Sequence, residues 1–278
     1  IQGGQIEVWF QPQVRTERDA EGRHRLVGIE ALARWHDNDL GWISPATFIP
    51  MAESMGLIRE VGQQVWLQAV EALHRWREAG MDMRISVNVS RLNLFNPHLC
   101  EDIRAMVARY ELDPSLINLE ITESAYTDHP EQLLSAVRTL RSYGFEILMD
   151  DFGSGYSSLT YLKRLSVSQI KIDQSFVRNM FDDPGELAIL DAVLGLATAF
   201  GRLVIANGME TVPHGEMLLR LGCEHAQGYG IAPPMPADEL ARWSLAWRPD
   251  PAWARLPAVL SRDDLLEQLQ TLLQQRRQ

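Results

Sequence analysis

The chain has 278 residues, 46% hydrophobic and 23% charged, a globular balance that excludes bulk disorder and low-complexity architecture. Lys and Arg total 26 against 37 Asp and Glu, a net charge of −11, and so acidic a surface repels duplex nucleic acid, whose binding rests on phosphate neutralisation. No apolar run is long enough to cross a membrane, no basic start leads into an apolar leader, and Cys100 and Cys223 are too few for a disulfide framework. A reducing cytoplasm and no membrane contact by this segment are therefore expected. The opening residue is Ile1 and not Met, which reads as a piece of a longer protein, and a membrane anchor elsewhere in that parent is compatible with this composition.

Short β-rich runs alternate with longer helix-patterned stretches. Ile6–Phe10 and Leu26–Leu32 come first, with about fifteen mostly polar residues and no helix signal between them. That predicts a hairpin, hence one antiparallel strand. Ser44-Pro45 predicts a helix start, a capping residue followed by Pro at the first helical position. Val61–Ala79 is long and amphipathic and stops at Gly80. The runs Met83–Val89 and Ile117–Ile121 follow, then a helix over Pro130–Tyr143 ending at Gly144. Next come Phe145–Met149, Gln169–Ile172, a helix over Gly185–Phe200, Leu203–Ala206 and a weak run at Glu224–Gln227. Several runs are apolar on successive residues, as strands buried on both faces are. Eight runs with intervening helices predict an α/β fold, a modified TIM (β/α)8 barrel with one antiparallel strand, over residues 1–246. Trp247–Pro257, with Pro249, Pro251 and Pro257, reads as a linker. Asp263–Arg277 then carries leucines at helical spacing, a C-terminal amphipathic helix that docks on the barrel, leads to another domain or dimerises.

Polar residues gather at the carboxyl ends of the runs: Glu30, Asn88, Glu120, Asp150-Asp151, Lys171 with Asp173, Asn207 and Gln227. In a barrel these ends converge on one rim, where such folds place their chemistry. An all-oxygen set suits Mg²⁺ or Mn²⁺, whereas zinc would want His or Cys, and the seven His are scattered without an HxxxH pair. Singly, each residue has a plain explanation. Glu30 reads equally as a salt-bridge partner, Asp150-Asp151 before Phe152-Gly153 as a turn, and Lys171 as half of a buried ion pair. Lys171 is one of two lysines among 26 basic residues. A compact ammonium among carboxylates orients a water or neutralises developing charge. Their succession at consecutive strand ends is what argues for a site.

The motifs resemble a known family. Glu30-Ala31-Leu32 within Gly28–Trp35 (GIEALARW) is similar to the signature of the EAL domain family of cyclic di-GMP phosphodiesterases. Phe48–Pro50, Ser86–Ser90 (SVNVS), Leu119–Ser124 (LEITES), Asp150–Leu159 (DDFGSGYSSL), Lys171–Val177 (KIDQSFV), Gly208–Thr211 (GMET) and Gln227–Tyr229 (QGY) resemble its other blocks in order. The resemblance implies a modified barrel that binds cyclic di-GMP and hydrolyses one phosphodiester bond to linear pGpG with two Mg²⁺ or Mn²⁺. By matching blocks, Glu30, Asn88, Glu120 and Asp150 would hold one metal, and Asp150 with Asp151 the second. Lys171 would orient the attacking water and Gln227 would support the second-metal side. Gln11, Leu32, Arg34, Pro50 and Asp173 would contact the dinucleotide, with Arg34 on a phosphate. Glu123 would brace the loop that begins at Phe152 and Gly153, which links the metal site to a dimer interface. A homodimer, and an adjacent diguanylate cyclase-like (GGDEF) or sensor domain in the parent, are implied likewise.

One departure bears on activity. The family block A-E-G-V-E reads Ala206-Asn207-Gly208-Met209-Glu210, so Asn207 stands where a carboxylate beside the second metal is expected. An amide neither accepts a proton at neutral pH nor adds negative charge to a dication. Pro233 likewise replaces a common Arg. Two outcomes follow: a slowed phosphodiesterase, or a receptor domain that holds cyclic di-GMP and signals to attached domains.

Overall fold

A computed structural model describes residues 4–15, 26–125, 130–153 and 164–253. The proposed helix at 263–277 and the loop from 154 to 163 lie outside the described residues. Nine strands form one sheet: β1 (Ile6–Arg15), β2 (Leu26–Asp37), β3 (Gly41–Ile43), β4 (Ile85–Asn88), β5 (Ile117–Thr122), β6 (Glu146–Phe152), β7 (Gln169–Ile172), β8 (Leu203–Asn207) and β9 (His225–Gln227). The order is β1-β9-β8-β7-β6-β5-β4-β2-β3, and β1 also pairs with β2, which closes an eight-stranded barrel and leaves β3 as a short arm on β2. Strand β1 runs antiparallel to both neighbours, while the pairs from β2 through β4 to β9 are parallel. This is the modified TIM barrel that the runs and the early hairpin predict.

The first two strands are longer than their apolar runs. β1 continues past Phe10 to Arg15, and β2 past Leu32 to Asp37. Gln11 and Gln13, which an apolar-run reading leaves out, are buried strand residues. Their amides each hydrogen-bond to the Gln227 amide inside the barrel, so both are buried with a partner. The parallel strands are apolar on both faces, with Ile85, Val87, Ile117, Leu119, Ile147 and Ile170 fully buried. One face fills the barrel and the other meets the helices.

The helices cover the strands as their periodicity predicts. Pro45–Ser54 begins at the expected place, with Pro45 in the first turn, although Ser44 makes no side-chain cap. Ile58–Glu78 buries Val61, Val65, Trp66, Ala69, Val70, Leu73 and Trp76 along one stripe and ends before Gly80. Pro130–Ser142 and Pro184–Ala199 follow the same logic, the latter capped by Asp183, which accepts from the Gly185 amide at 2.8 Å. Within the segment read as a linker, Trp253 is buried and donates its indole N–H to the Val212 carbonyl at 3.1 Å.

Candidate functional site

The parallel register brings the carboxyl ends of the strands to one mouth. Carboxylate oxygens of Glu30 on β2, Glu120 on β5 and Asp150 on β6 lie within 4.8 Å of one another. Lys171 on β7 reaches into this group, its Nζ 2.6 Å from Glu30 Oε2, 3.2 Å from Glu120 Oε2 and 3.8 Å from Asp150 Oδ2. All four side chains are buried.

Burial and mutual repulsion set their protonation. Burial pushes the Glu120 carboxyl well up, Glu30 adds repulsion, and Lys171 offsets part of it. Burial and neighbouring carboxylates likewise raise Asp150 to about 6, against the pull of Lys171. Glu30 differs: burial pushes it up, but Lys171, Gln227 and Asn88 outweigh that and hold it below the usual carboxylate range. Burial alone would lower Lys171, but Asp150, Glu120 and Glu30 raise it well above the ordinary lysine value, so it stays an ammonium.

Glu30 is saturated. Its Oε1 accepts from Asn88 Nδ2 at 2.9 Å, and its Oε2 takes Lys171 and Gln227 Nε2. Glu120 is not: its Oε1 is buried without a hydrogen-bond partner. Such an orphaned acceptor is costly. A buried carboxyl oxygen left unpartnered among two more carboxylates, with Asn88 beside Glu120 in the β4–β5 register, fits a hard divalent cation, which would favour its ionised form.

Asp151 owes its place to an irregularity. The β6–β7 register shifts between Met149 and Phe152, and Asp151 there adopts φ +54°. A bulge of this kind re-aims a side chain at a strand end. Its carboxyl, partly buried, is raised by burial and then by Asp173. The chain next turns at Gly153, whose amide donates to Glu123 Oε2 at 3.0 Å. Gly153 has φ +98°, and a Cβ there would sit 2.8 Å from the Phe176 ring. Glu123, Phe152 and Gly153 are thus brought together at the start of the loop.

A cleft opens over Glu30, Asp150 and Lys171. Gln11, Leu32 and Asn207 line it, joined by Gln174, Arg178 and Tyr229. Asn207 ends β8 opposite Gln227 on β9. Arg34, Pro50 and Asp173 stand outside this lining. Arg34 lies over the Trp9 ring at 5.9 Å, its basicity lowered by burial against the attraction of Tyr229 and Glu30. Pro50 is exposed on its helix, and Asp173 Oδ1 caps the helix Gln174–Asn179 by accepting from the Ser175 amide at 2.8 Å.

Sequence reasoning passed over Arg178, whose Nε meets Glu210 Oε1 at 2.7 Å. The signal was available: Arg178 follows Gln174 by four residues on one short helix, so both face the cleft. Gln13 was also missed, although it alternates with Gln11 at the strand period of two.

Fold and site together define a class: a (β/α)8-type barrel with a buried carboxylate cluster, able to hold a cation, at the carboxyl-end rim of its strands. The chain belongs to the EAL domain family, whose model matches residues 1–234. The bifunctional diguanylate cyclase/cyclic di-GMP phosphodiesterase MucR of Pseudomonas aeruginosa is 37% identical over 237 residues, 85% of this chain and 34% of that protein. The oxygen sensor protein DosP of Escherichia coli is 35% identical over 244 residues, 87% of this chain and 30% of that protein. The chain therefore spans about a third of the length of these curated relatives. A solved structure described as PaMucR phosphodiesterase in complex with c-di-GMP superposes with a TM-score of 0.80 at 37% identity, covering 85% of this chain and 94% of that one.

Proposed function

We propose that this domain binds cyclic di-GMP in the cleft and, with Mg²⁺ or Mn²⁺, hydrolyses one phosphodiester bond to linear pGpG, slowly because of Asn207. The observation that carries the reading is the buried, unpartnered Glu120 Oε1 within a three-carboxylate cluster. Membership of the EAL family and the c-di-GMP complex of the MucR domain support the choice of ligand. Glu30, Asn88, Glu120 and Asp150 would hold one cation, and Asp150 with Asp151 a second. When bound, such a pair supplies a water of lowered pKa and stabilises charge on the attacking and leaving oxygens.

The chain's own residues have distinct tasks. Lys171, a fixed ammonium, can only donate, so it orients water and offsets negative charge but takes no proton. Gln227 donates to Glu30 and holds that carboxylate in place. Gln11 and Leu32 in the cleft, with Arg34, Pro50 and Asp173 outside its lining, would contact the dinucleotide, Arg34 through a phosphate, and Arg178 offers a guanidinium within the lining itself. Glu123 fastens Gly153 by accepting from its amide, in keeping with a brace for a link to a dimer interface. Asn207 brings an amide where a proton acceptor is wanted. Missing general-base help costs about 10²–10⁴-fold in rate.

Asn207 also favours a second reading, a receptor that binds cyclic di-GMP with negligible turnover and signals to attached domains. In either case we take the barrel domain to span 1–246 and 247–278 to be a proline-containing linker and an amphipathic helix, of which Trp253 packs back on the barrel. The parent would carry a GGDEF or sensor module, work as a homodimer and act in the cytoplasm. Among the described residues no helix is long and apolar enough to cross a membrane. The decisive experiment is calorimetry with cyclic di-GMP and Mn²⁺ beside chromatographic detection of pGpG. Micromolar or tighter binding with product supports the enzyme. Binding without product supports the receptor. No heat at high ligand concentration refutes both.

A further inference from the structure

Behind Glu30 lies a buried chain of three amides. Gln13 Nε2 donates to Gln227 Oε1 at 3.0 Å, Gln227 Nε2 donates to Gln11 Oε1 at 2.9 Å and to Glu30 Oε2 at 2.5 Å, and Gln11 Nε2 donates to the Ala232 carbonyl at 3.1 Å. Gln13 and Gln227 are each 1% exposed, so neither has water as a substitute partner. Both ends of the chain are pure acceptors, the Glu30 carboxylate and the Ala232 carbonyl. They dictate its direction. Gln227 must turn its N–H₂ to Glu30, which leaves its Oε1 in need of a donor. Gln13 is that donor. Without it, Gln227 either buries an unpartnered oxygen or flips and sets that oxygen against the carboxylate.

We infer that Gln13 is a positioning residue of the site: by donating to Gln227 Oε1 it locks that amide with Nε2 on Glu30, so Gln227 serves as a hydrogen-bond donor and not as an oxygen ligand. A second observation shows that the backbone is shaped for it. Gln13 faces Gly28 across the β1–β2 pair, and a Cβ at position 28 would lie 2.6 Å from Gln13 Oε1. Gly28 is the seat of the Gln13 side chain. Any larger residue displaces the amide that holds Gln227.

The test uses protein labelled with ¹⁵N-glutamine, in which the Gln227 side-chain signal is assigned by its loss in Gln227→Glu. Gln13→Met keeps the length of the side chain and removes its N–H₂. It is expected to shift the Gln227 signal, speed its hydrogen exchange and weaken Mn²⁺ binding by about tenfold or more, as loss of an outer-sphere partner does. Gly28→Ala is expected to do the same in the parent and to add nothing in a Gln13→Ala background, where the clash is gone. A Gln227 signal unmoved by Gln13→Met overturns the inference. So does a Gly28→Ala effect of equal size in both backgrounds, a comparison that decides the matter if Gln13→Met does not fold. The affinity arm rests on the cation-binding reading. If the parent binds no Mn²⁺, that reading falls, while the Gln227 signal still judges Gln13.

Discussion

Lys171 Nζ stands 2.6 Å from Glu30 Oε2 and serves as the internal counter-charge of a carboxylate cluster that has no other buried cation among the described residues. Removing one partner of such a pair leaves uncompensated buried charge, at a cost of about 3–5 kcal/mol. Lys171→Met is therefore expected to lower the melting temperature of metal-free protein sharply. Added Mn²⁺ should recover much of the loss, since a dication supplies the missing charge. A thermal melt with and without Mn²⁺ reads both effects. Equal loss in the two conditions would show that Lys171 is not exchanging roles with a cation.

Position 207 is where the proposed enzyme and receptor readings divide. Asn207→Glu restores a carboxylate at the end of β8, beside Gln227. Turnover to pGpG is expected to rise by about 10²-fold, within the range of general-base help. Product accumulation followed by chromatography measures it. No increase would mean that the amide is not what limits the parent.

Glu30→Ala removes the residue on which Asn88, Lys171 and Gln227 converge. Mn²⁺ binding by calorimetry should fall below detection, and with it any metal-dependent turnover. Retained Mn²⁺ affinity would take Glu30 out of the ligand set.

Arg178→Ala should raise the dissociation constant for cyclic di-GMP about tenfold, the loss of one charge-assisted phosphate contact. Affinity for Mn²⁺ should stay as it was, because Arg178 pairs with Glu210 and is not one of the carboxylate trio. The surface ion pair itself is worth too little to unfold the protein. Equal cyclic di-GMP affinity in parent and variant would leave Arg34 as the proposed phosphate contact.

Two groups give opposite pH slopes. Burial and then Arg15 lower His225 to about 4, from 6.5 when unfolded. Its contribution is present above pH 6.5 and lost as pH falls toward 4, where the unfolded chain binds a proton the folded one refuses. Asp150 is the reverse: raised from 3.8 to about 6, its contribution to metal-free stability is present below pH 3.8 and lost as pH rises through 6. His225→Gln should therefore leave metal-free stability falling more steeply from pH 4 to 6, as urea midpoints across that range will show. An unchanged profile would mean that His225 titrates normally in the fold.

The strands, their order of polarity and the rim residues were legible in the chain itself. Alternation and apolar runs follow from what each strand must bury, and the carboxyl-end residues Glu30, Asn88, Glu120, Asp150 and Asn207 stand out because strands elsewhere are so apolar. The family blocks then named the chemistry. What the runs could not disclose is that β1 continues to Arg15, because buried glutamines look like surface residues until their partners are known.

Amino-acid order alone thus determined which faces are buried and which end of each strand carries oxygen donors, since both depend on local periodicity. Closure of the barrel decided the rest. Only the pairing of β1 with both β2 and β9 sets Gln13 against Gly28 and aligns its amide with Gln227, 214 positions away. Only the converging register puts Lys171 on Glu30 across 141 positions. Such contacts join residues with no periodic relation along the chain, so hydrogen-bond direction, counter-charge and the orphaned Glu120 oxygen exist only once the cylinder is shut.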